Sequence, residues 1–180
     1  VAGGRLVLAL HPHVPHGEVR SLWYLAQSTG EHRHAYVYTP PGYDANPKQR
    51  YPVLYLLHGL SDDASAWQRF TAIEKIADGY GLVVVMPSAG RSFYIDQPNG
   101  QNYFSYLTGE LPHYLADVFG LKPKREDTLI AGNSMGGYGA FKAALLHPEL
   151  YCAAASFSGM LSLEVLRLLP DDPRKEEFAL

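Results

Sequence analysis

The sequence predicts a single α/β domain built on a mostly parallel sheet with helices on both faces. From residue 51 onward, short apolar runs alternate with stretches of helical periodicity, the pattern of repeated strand–helix–strand units. Before residue 51, shorter β-type runs are separated by Pro, His, Gly and Ser, which is typical of antiparallel strands. No internal repeat or linker-like tract divides the 180 residues, so we expect one domain over residues 1–180.

The amino-terminal part is expected to enter the sheet as antiparallel strands. Its apolar runs cover residues 6–10, 22–25 and 34–38. In the last of these runs two tyrosines alternate with smaller residues, a period of two that suits a strand with one wetter face.

The later part is expected to supply the parallel strands and the helices that cover them. Four apolar runs predict strands at residues 53–57, 82–86, 128–131 and 152–157. Helical periodicity predicts helices at about residues 65–78 and 103–119, and a third helix directly after Ser134. The last strand is apolar throughout and carries no charge or proline to protect an exposed edge, so we expect another segment to pair with it.

The composition limits the classes of partner. A formal net charge of -3 offers no basic surface for nucleic acid, and the basic run at residues 122–125 is interpreted as a solvated loop. No apolar run is long enough for a transmembrane helix, so no membrane partner is expected. The single cysteine, Cys152, lies in an apolar run where a small buried residue fits, and it leaves the compartment undecided. Because the chain begins with Val1, a leading segment could already have been removed.

Five histidines cluster in the first 34 residues, and strand-spaced pairs of them could in principle bind a metal. Only Glu18 and Glu31 stand nearby as further ligands, so surface histidines are the favoured interpretation. No metal site and no other cofactor is therefore predicted. The histidines concerned are His11, His13, His16, His32 and His34.

The pentapeptide GNSMG at residues 132–136 is the strongest chemical signal in the chain. In a G-x-S-x-G motif the serine occupies a sharp strand-to-helix turn, and the glycines leave room for the neighbouring strand and helix. The apolar run before Ser134 and the helical pattern after it supply the required context. Ser134 is therefore predicted to be a catalytic nucleophile, with Gly132 and Gly136 supporting the motif. The alternative is a glycine-rich turn with a structural serine.

An attacking serine generates an oxyanion, which needs two preorganised hydrogen-bond donors. One predicted donor is the backbone N–H of Met135, at the start of a helix whose dipole favours negative charge. The other is the backbone N–H of Leu60, because His58 and Gly59 directly follow the strand at residues 53–57. Gly59 would allow the backbone to approach the substrate closely. His58 is interpreted as holding the turn by hydrogen bonds to loop backbone, and a catalytic role is the alternative.

Four stretches together resemble the esterase D-like branch of the α/β-hydrolases. They are YPVLYLLHG (51–59), RSFYID (91–96), GELP (109–112) and GNSMGGYGA (132–140). That branch includes tributyrin esterases, acetylxylan and feruloyl esterases of carbohydrate esterase family one, S-formylglutathione hydrolases and mycolyltransferases. The resemblance covers about residues 16–160 and implies an α/β-hydrolase fold.

The resemblance implies a serine carboxylic-ester hydrolase that acts through an acyl-enzyme. Its expected substrates are short-chain acyl esters, or acetyl and feruloyl esters of carbohydrate. One alternative is an acyltransferase of the mycolyltransferase type, which would use the same acyl-enzyme and exclude water. Another is a non-catalytic homologue that binds carbohydrate or a protein.

The chain departs from the family pattern after Ser134. In α/β-hydrolases the triad runs serine, acid, histidine, but the only later histidine is His147, about 20 Å farther along a helix. His147 is therefore excluded as the base. The sequence predicts an α/β-hydrolase unit that lacks its C-terminal strands, with the acid and the histidine outside this segment, and a second chain or fragment completing the fold. Residues 161–180 are expected to begin a variable segment over the active site.

Overall fold

The framework of the molecule is a mixed sheet, seen in a computed structural model that describes residues 16–46, 48–98 and 100–162. The sheet has six strands within these residues, in the spatial order β1-β2-β4-β3-β5-β6. Their bounds are Glu18–Ala26 (β1), Glu31–Thr39 (β2), Val53–Leu57 (β3), Val83–Pro87 (β4), Thr128–Asn133 (β5) and Ala153–Phe157 (β6).

The sheet confirms the predicted division between antiparallel and parallel strands. β1 and β2 form an antiparallel hairpin, and β2 pairs antiparallel with β4. β3, β4, β5 and β6 are parallel to one another, so their carboxyl ends lie at one edge of the sheet. Each of the predicted strands from residue 22 onward is present, whereas the run at residues 6–10 lies outside the described residues.

Helices cover both faces of the sheet, as the sequence predicted. One face packs against α3 (Tyr103–Ser105), the π-helical turn Tyr106–Glu110, α4 (Leu111–Phe119) and α5 (Met135–Leu146). The other face packs against α1 (Ala66–Phe70) and α2 (Ile73–Tyr80). Alternate residues of the central strands point into the two cores, because successive side chains of a strand lie on opposite faces.

The single helix predicted at residues 65–78 is wrong, because α1 and α2 are separate. Thr71 has extended backbone angles, and its N–H donates to the Trp67 carbonyl at 3.1 Å. The Thr71 hydroxyl donates to the same carbonyl, so both Thr71 donors satisfy a carbonyl of the last turn of α1 while the Thr71 backbone leaves the helix. The helical stretch predicted at 103–119 is present and contains the π-helical turn.

β6 is an exposed edge strand, as expected from its position in the sheet. Ala153, Ala155 and Phe157 are exposed, and in the described residues no strand pairs with its outer side. Cys152, which was expected to be buried, is exposed for the same reason. The described part of the chain contains no helix long and apolar enough to span a bilayer. Most of the expected variable segment at 161–180 lies outside the described residues.

Candidate active site

Ser134 occupies a strained turn between β5 and α5. Its φ of 52° and ψ of -115° lie outside the conformations that side chains favour. A Cβ on Gly132 would lie 2.3 Å from the Gly136 carbonyl carbon, and a Cβ on Gly136 would lie 2.4 Å from the Leu57 oxygen. Only glycines therefore permit this close approach of strand and helix. The Ser134 N–H donates to the Phe157 carbonyl at 2.8 Å, and the Ser134 side chain remains exposed.

The loop after β3 lies against this turn. A Cβ on Gly59 would be 3.6 Å from the Ser134 Cβ and 3.6 Å from the Asn133 carbonyl oxygen. Leu60 and Ser134 line the same pocket, which has a volume of about 630 Å³. Met135 is buried as the first residue of α5. The structure thus brings Ser134, the His58-Gly59-Leu60 loop and the start of α5 together.

His58 is a buried residue with both ring nitrogens engaged. Nδ1 lies 2.8 Å from the Gly59 carbonyl oxygen, and Nε2 lies 2.9 Å from the Ala89 backbone nitrogen. Since the Ala89 N–H must donate to Nε2, the proton is on Nδ1 and the ring is neutral. Burial lowers the pKa of His58 below its ordinary value, which favours the same neutral form. This geometry fits the role of holding the turn and leaves no nitrogen free to act as a base.

A second supporting loop was not found from sequence reasoning. Phe93 and Tyr94 have φ values of 51° and 52°, the left-handed region that such side chains rarely adopt. The Phe93 N–H lies 3.3 Å from Met135 Sδ, and the Tyr94 hydroxyl donates to the His58 carbonyl at 3.2 Å. These contacts tie the loop to both predicted oxyanion elements. Its only signal in the sequence was the family-like stretch RSFYID.

Aromatic side chains form a wall of the pocket, and sequence reasoning also missed them. Trp67 of α1 donates its indole N–H to the Leu57 carbonyl at 3.1 Å. Its ring lies edge-on to Phe157 of β6, with centroids 6.0 Å apart. Phe70 lines the same pocket and is exposed. Trp67 and Phe70 lie on the same helix, but Phe157 is about 90 residues later in the chain, so no local pattern could reveal the wall.

Among the described residues, the structure brings no base to Ser134. His147 lies at the far end of α5, where Nδ1 is 2.9 Å from Glu149 Oε1 and the ring stacks on Phe104. Within the described residues the Ser134 hydroxyl makes no hydrogen bond. Asp62 lines the pocket, but its carboxylate pairs with Arg69.

Comparison with known proteins assigns the chain to a family. The family model described as "Putative esterase" matches residues 26–174. The chain belongs to this esterase family. The acetyl esterase of Caldicellulosiruptor saccharolyticus is 34% identical to this chain over 122 residues, which cover 67% of the chain and 46% of that enzyme. The chain spans about half the length of the curated relatives it matches.

Solved structures confirm that the chain has an α/β-hydrolase fold. FphF, a fluorophosphonate-binding serine hydrolase of Staphylococcus aureus, superposes with a TM-score of 0.78 at 34% identity, covering 87% of this chain and 63% of FphF. A ferulic acid esterase superposes with a TM-score of 0.77 at 26% identity, covering 84% of this chain and 61% of that protein. In the described residues no strand follows β6, as expected from the sequence.

Proposed function

We propose that this esterase hydrolyses carboxylic esters through an acyl-enzyme formed on Ser134. The observation that carries the proposal is the exposed serine held at a positive φ between β5 and α5, next to the loop that follows β3. Strained backbone at an exposed, pocket-lining nucleophile is typical of catalytic positions. Membership in the esterase family supports the same reaction class.

The reaction begins when Ser134 Oγ attacks the ester carbonyl carbon and its proton passes to a base. The resulting oxyanion accepts hydrogen bonds from the backbone N–H groups of Leu60 and Met135. Collapse of this tetrahedral intermediate breaks the bond to the alcohol, which leaves with the proton held by the base. Water then attacks the acyl-enzyme by the same route and releases the carboxylic acid.

The base and the triad acid are proposed to come from polypeptide outside the described residues, or from a second chain that completes the fold. His58 and His147 are not available as the base, because His58 has both nitrogens engaged and His147 is bound to Glu149 at the opposite end of α5. The exposed outer edge of β6 offers the place where further strands would pair.

The substrates are proposed to be small-molecule esters or short-acyl, acetyl or feruloyl esters of carbohydrate. The pocket beside Ser134 is large enough for an acyl group and has aromatic walls at Trp67, Phe70 and Phe157. Such walls suit an aromatic acyl chain and also accept a short one. The acetyl esterase and ferulic acid esterase relatives support this range.

The proposal is tested with Ser134→Ala in an active preparation that contains residues 1–180 together with the completing polypeptide. Hydrolysis of p-nitrophenyl acetate should fall to the background rate, because no other group supplies the attacking oxygen. The matched control is Ser105→Ala. Ser105 lies outside the pocket, and its hydroxyl donates to the Asp96 carboxylate at 2.6 Å. Retention of a tenth of the activity by Ser134→Ala would overturn the assignment.

Two further measurements separate the alternatives. Transfer of the acyl group to an added alcohol in preference to water would identify an acyltransferase of the mycolyltransferase type. A correctly folded, completed protein that hydrolyses no ester and does not react with a fluorophosphonate would be a non-catalytic binding homologue. The hydrolase predicts fluorophosphonate labelling at Ser134 and free acid as the main product.

A further inference from the structure

The face of the β1–β2 hairpin that carries Trp23 holds a cluster of aromatic rings beside the core under α1 and α2, against which Tyr36 packs. Trp23 lies directly opposite His34 in the antiparallel register, and their rings stack with centroids 4.3 Å apart and planes 14° apart. Tyr36 meets the other side of His34 edge-on, also at 4.3 Å. Trp23 keeps 66% of its surface exposed. We call Trp23, His34 and Tyr36 the hairpin platform.

The hairpin platform stands on rigid backbone. The inward side chains of the same strands, including Tyr24, Ala35 and Val37, are buried in the core. The turn that joins the strands is held from below by the Glu110 carboxylate, which accepts hydrogen bonds from the N–H groups of Gln27 and Ser28 at 2.6 and 2.8 Å. A ligand would therefore meet rings that are already in place, with little loss of conformational entropy on binding.

The platform combines flat apolar surface with uncharged hydrogen-bonding groups. The Ser21 hydroxyl lies 2.8 Å from His34 Nε2. Burial lowers the pKa of His34, so its ring is neutral at neutral pH. The positions that share this face of the two strands carry no Asp, Glu, Lys or Arg; they are Val19, Ser21, Trp23, Leu25, His32, His34, Tyr36 and, buried in the core, Tyr38. A nucleic acid or an anionic membrane would require cations here.

The platform lies at the same edge of the sheet as Ser134. The Ser88 N–H, just after β4, donates to the His34 carbonyl at 2.8 Å, so His34 sits at the carboxyl end of a parallel strand. Asp63, in the loop that continues from Leu60, is close enough for its charge to oppose the lowering of the His34 pKa. A ligand on the platform would be held beside the loop that borders the candidate active site.

We propose that the hairpin platform binds the sugar rings of a carbohydrate ester, as a site separate from the pocket at Ser134. β-1,4-Linked pyranoses with equatorial hydroxyls present flat C–H faces that stack on aromatic rings, and hydroxyls at their edges that match Ser21 and His32. The site takes a neutral oligosaccharide, in keeping with the uncharged side chains of Trp23, His34 and Tyr36. The inference that this sugar is the alcohol part of the substrate rests on the proposed ester-hydrolase function. The inference that the platform binds sugar does not depend on that function.

The test measures binding of unesterified xylohexaose by calorimetry, so that no turnover is required. Trp23→Ala should weaken the affinity about tenfold, the effect of removing one stacked ring, whereas Trp23→Phe should keep most of it. Tyr80→Ala is the matched control, because Tyr80 is an exposed aromatic residue (75%) on α2; it should change the affinity less than twofold. Phe70→Ala, in the pocket at Ser134, should likewise leave xylohexaose binding in place.

Absence of saturable binding by the unaltered protein would overturn the proposal, as would equal affinities of that protein and Trp23→Ala. Loss of binding in Phe70→Ala with retention in Trp23→Ala would place the sugar in the pocket instead. If Trp23→Ala reduced self-association in sedimentation but left sugar binding unchanged, the face would be a contact between copies of the chain. That result would also overturn the proposal. Failure of p-nitrophenyl acetate hydrolysis would count against the proposed hydrolase alone, since that ester contains no sugar.

Discussion

The ring of Tyr94 fills the space that a side chain on Gly139 would need. A Cβ added to Gly139 would lie 2.6 Å from Tyr94 Cδ2 and 3.0 Å from Tyr94 Cβ. Tyr94 is fully buried, and its hydroxyl donates to the His58 carbonyl, so the ring has little freedom to move away. This contact joins α5, which follows Ser134, to the loop that supports His58.

Gly139→Ala should therefore lower the free energy of unfolding by about 1 to 3 kcal/mol, the usual effect of overpacking a core. Gly79→Ala is the matched control, because Gly79 lies in α2 and an added Cβ meets no atom within 4 Å. There the better helix propensity of alanine should raise stability by up to about 1 kcal/mol. Urea unfolding of both variants measures the two effects. Equal stabilisation by the two substitutions would show that the Tyr94 ring moves aside at little cost in free energy.

The neutral, buried state of His58 predicts a pH dependence of stability. Folding lowers the pKa of His58 below its ordinary value of 6.5, so the unfolded chain takes up a proton more readily. The contribution of neutral His58 to the free energy of unfolding is complete above about pH 6.5. It decreases as the pH drops toward the lowered pKa, by up to about 1.4 kcal/mol per pH unit.

His58→Gln should reduce this slope in urea unfolding between pH 5 and pH 8. It should also lower stability at pH 8 by about 1 to 3 kcal/mol, because a buried hydrogen-bonding partner is lost. His113→Gln, at an exposed position on α4, should keep the wild-type slope. An unchanged slope in His58→Gln would mean that another group causes the pH dependence.

The proposed oxyanion donor at Leu60 can be removed without changing a side chain. Replacing Leu60 by its α-hydroxy acid turns the N–H into an ester oxygen, and in an active preparation kcat should fall about 100-fold with little change in KM. The same replacement at Ser61, next in the pocket lining, is the control and should retain most activity. Equal losses at the two positions would point to general disruption of the loop.

The open edge of β6 predicts the behaviour of residues 1–180 in isolation. They should self-associate with rising concentration and hydrolyse no p-nitrophenyl acetate, because in the part of the chain that the structure describes the edge is unpaired and no base reaches Ser134. Ala155→Lys should reduce the association measured by sedimentation velocity, since an edge lysine opposes strand pairing. Val118→Lys, at an exposed position of α4, should leave it unchanged. A monodisperse, fully active monomer would contradict this prediction.

Several features could be predicted because they depend on neighbouring residues in the chain. Strand β3 begins and ends where its apolar run does, at Val53 and Leu57. The turn at Ser134 follows from the glycines on either side of it, whose missing side chains allow strand and helix to approach. Continuous apolar runs separated by helical periodicity were enough to predict a parallel sheet covered on both faces.

Other features were decided only by the tertiary structure, because they arise between segments far apart in sequence. Burial of Cys152 depended on whether β6 has a neighbour, and no local pattern contains that information. The wall formed by Trp67 and Phe157 and the support of His58 by Tyr94 depend on contacts made when the elements pack. Sequence periodicity describes which face of an element is apolar, whereas packing decides which other element meets that face.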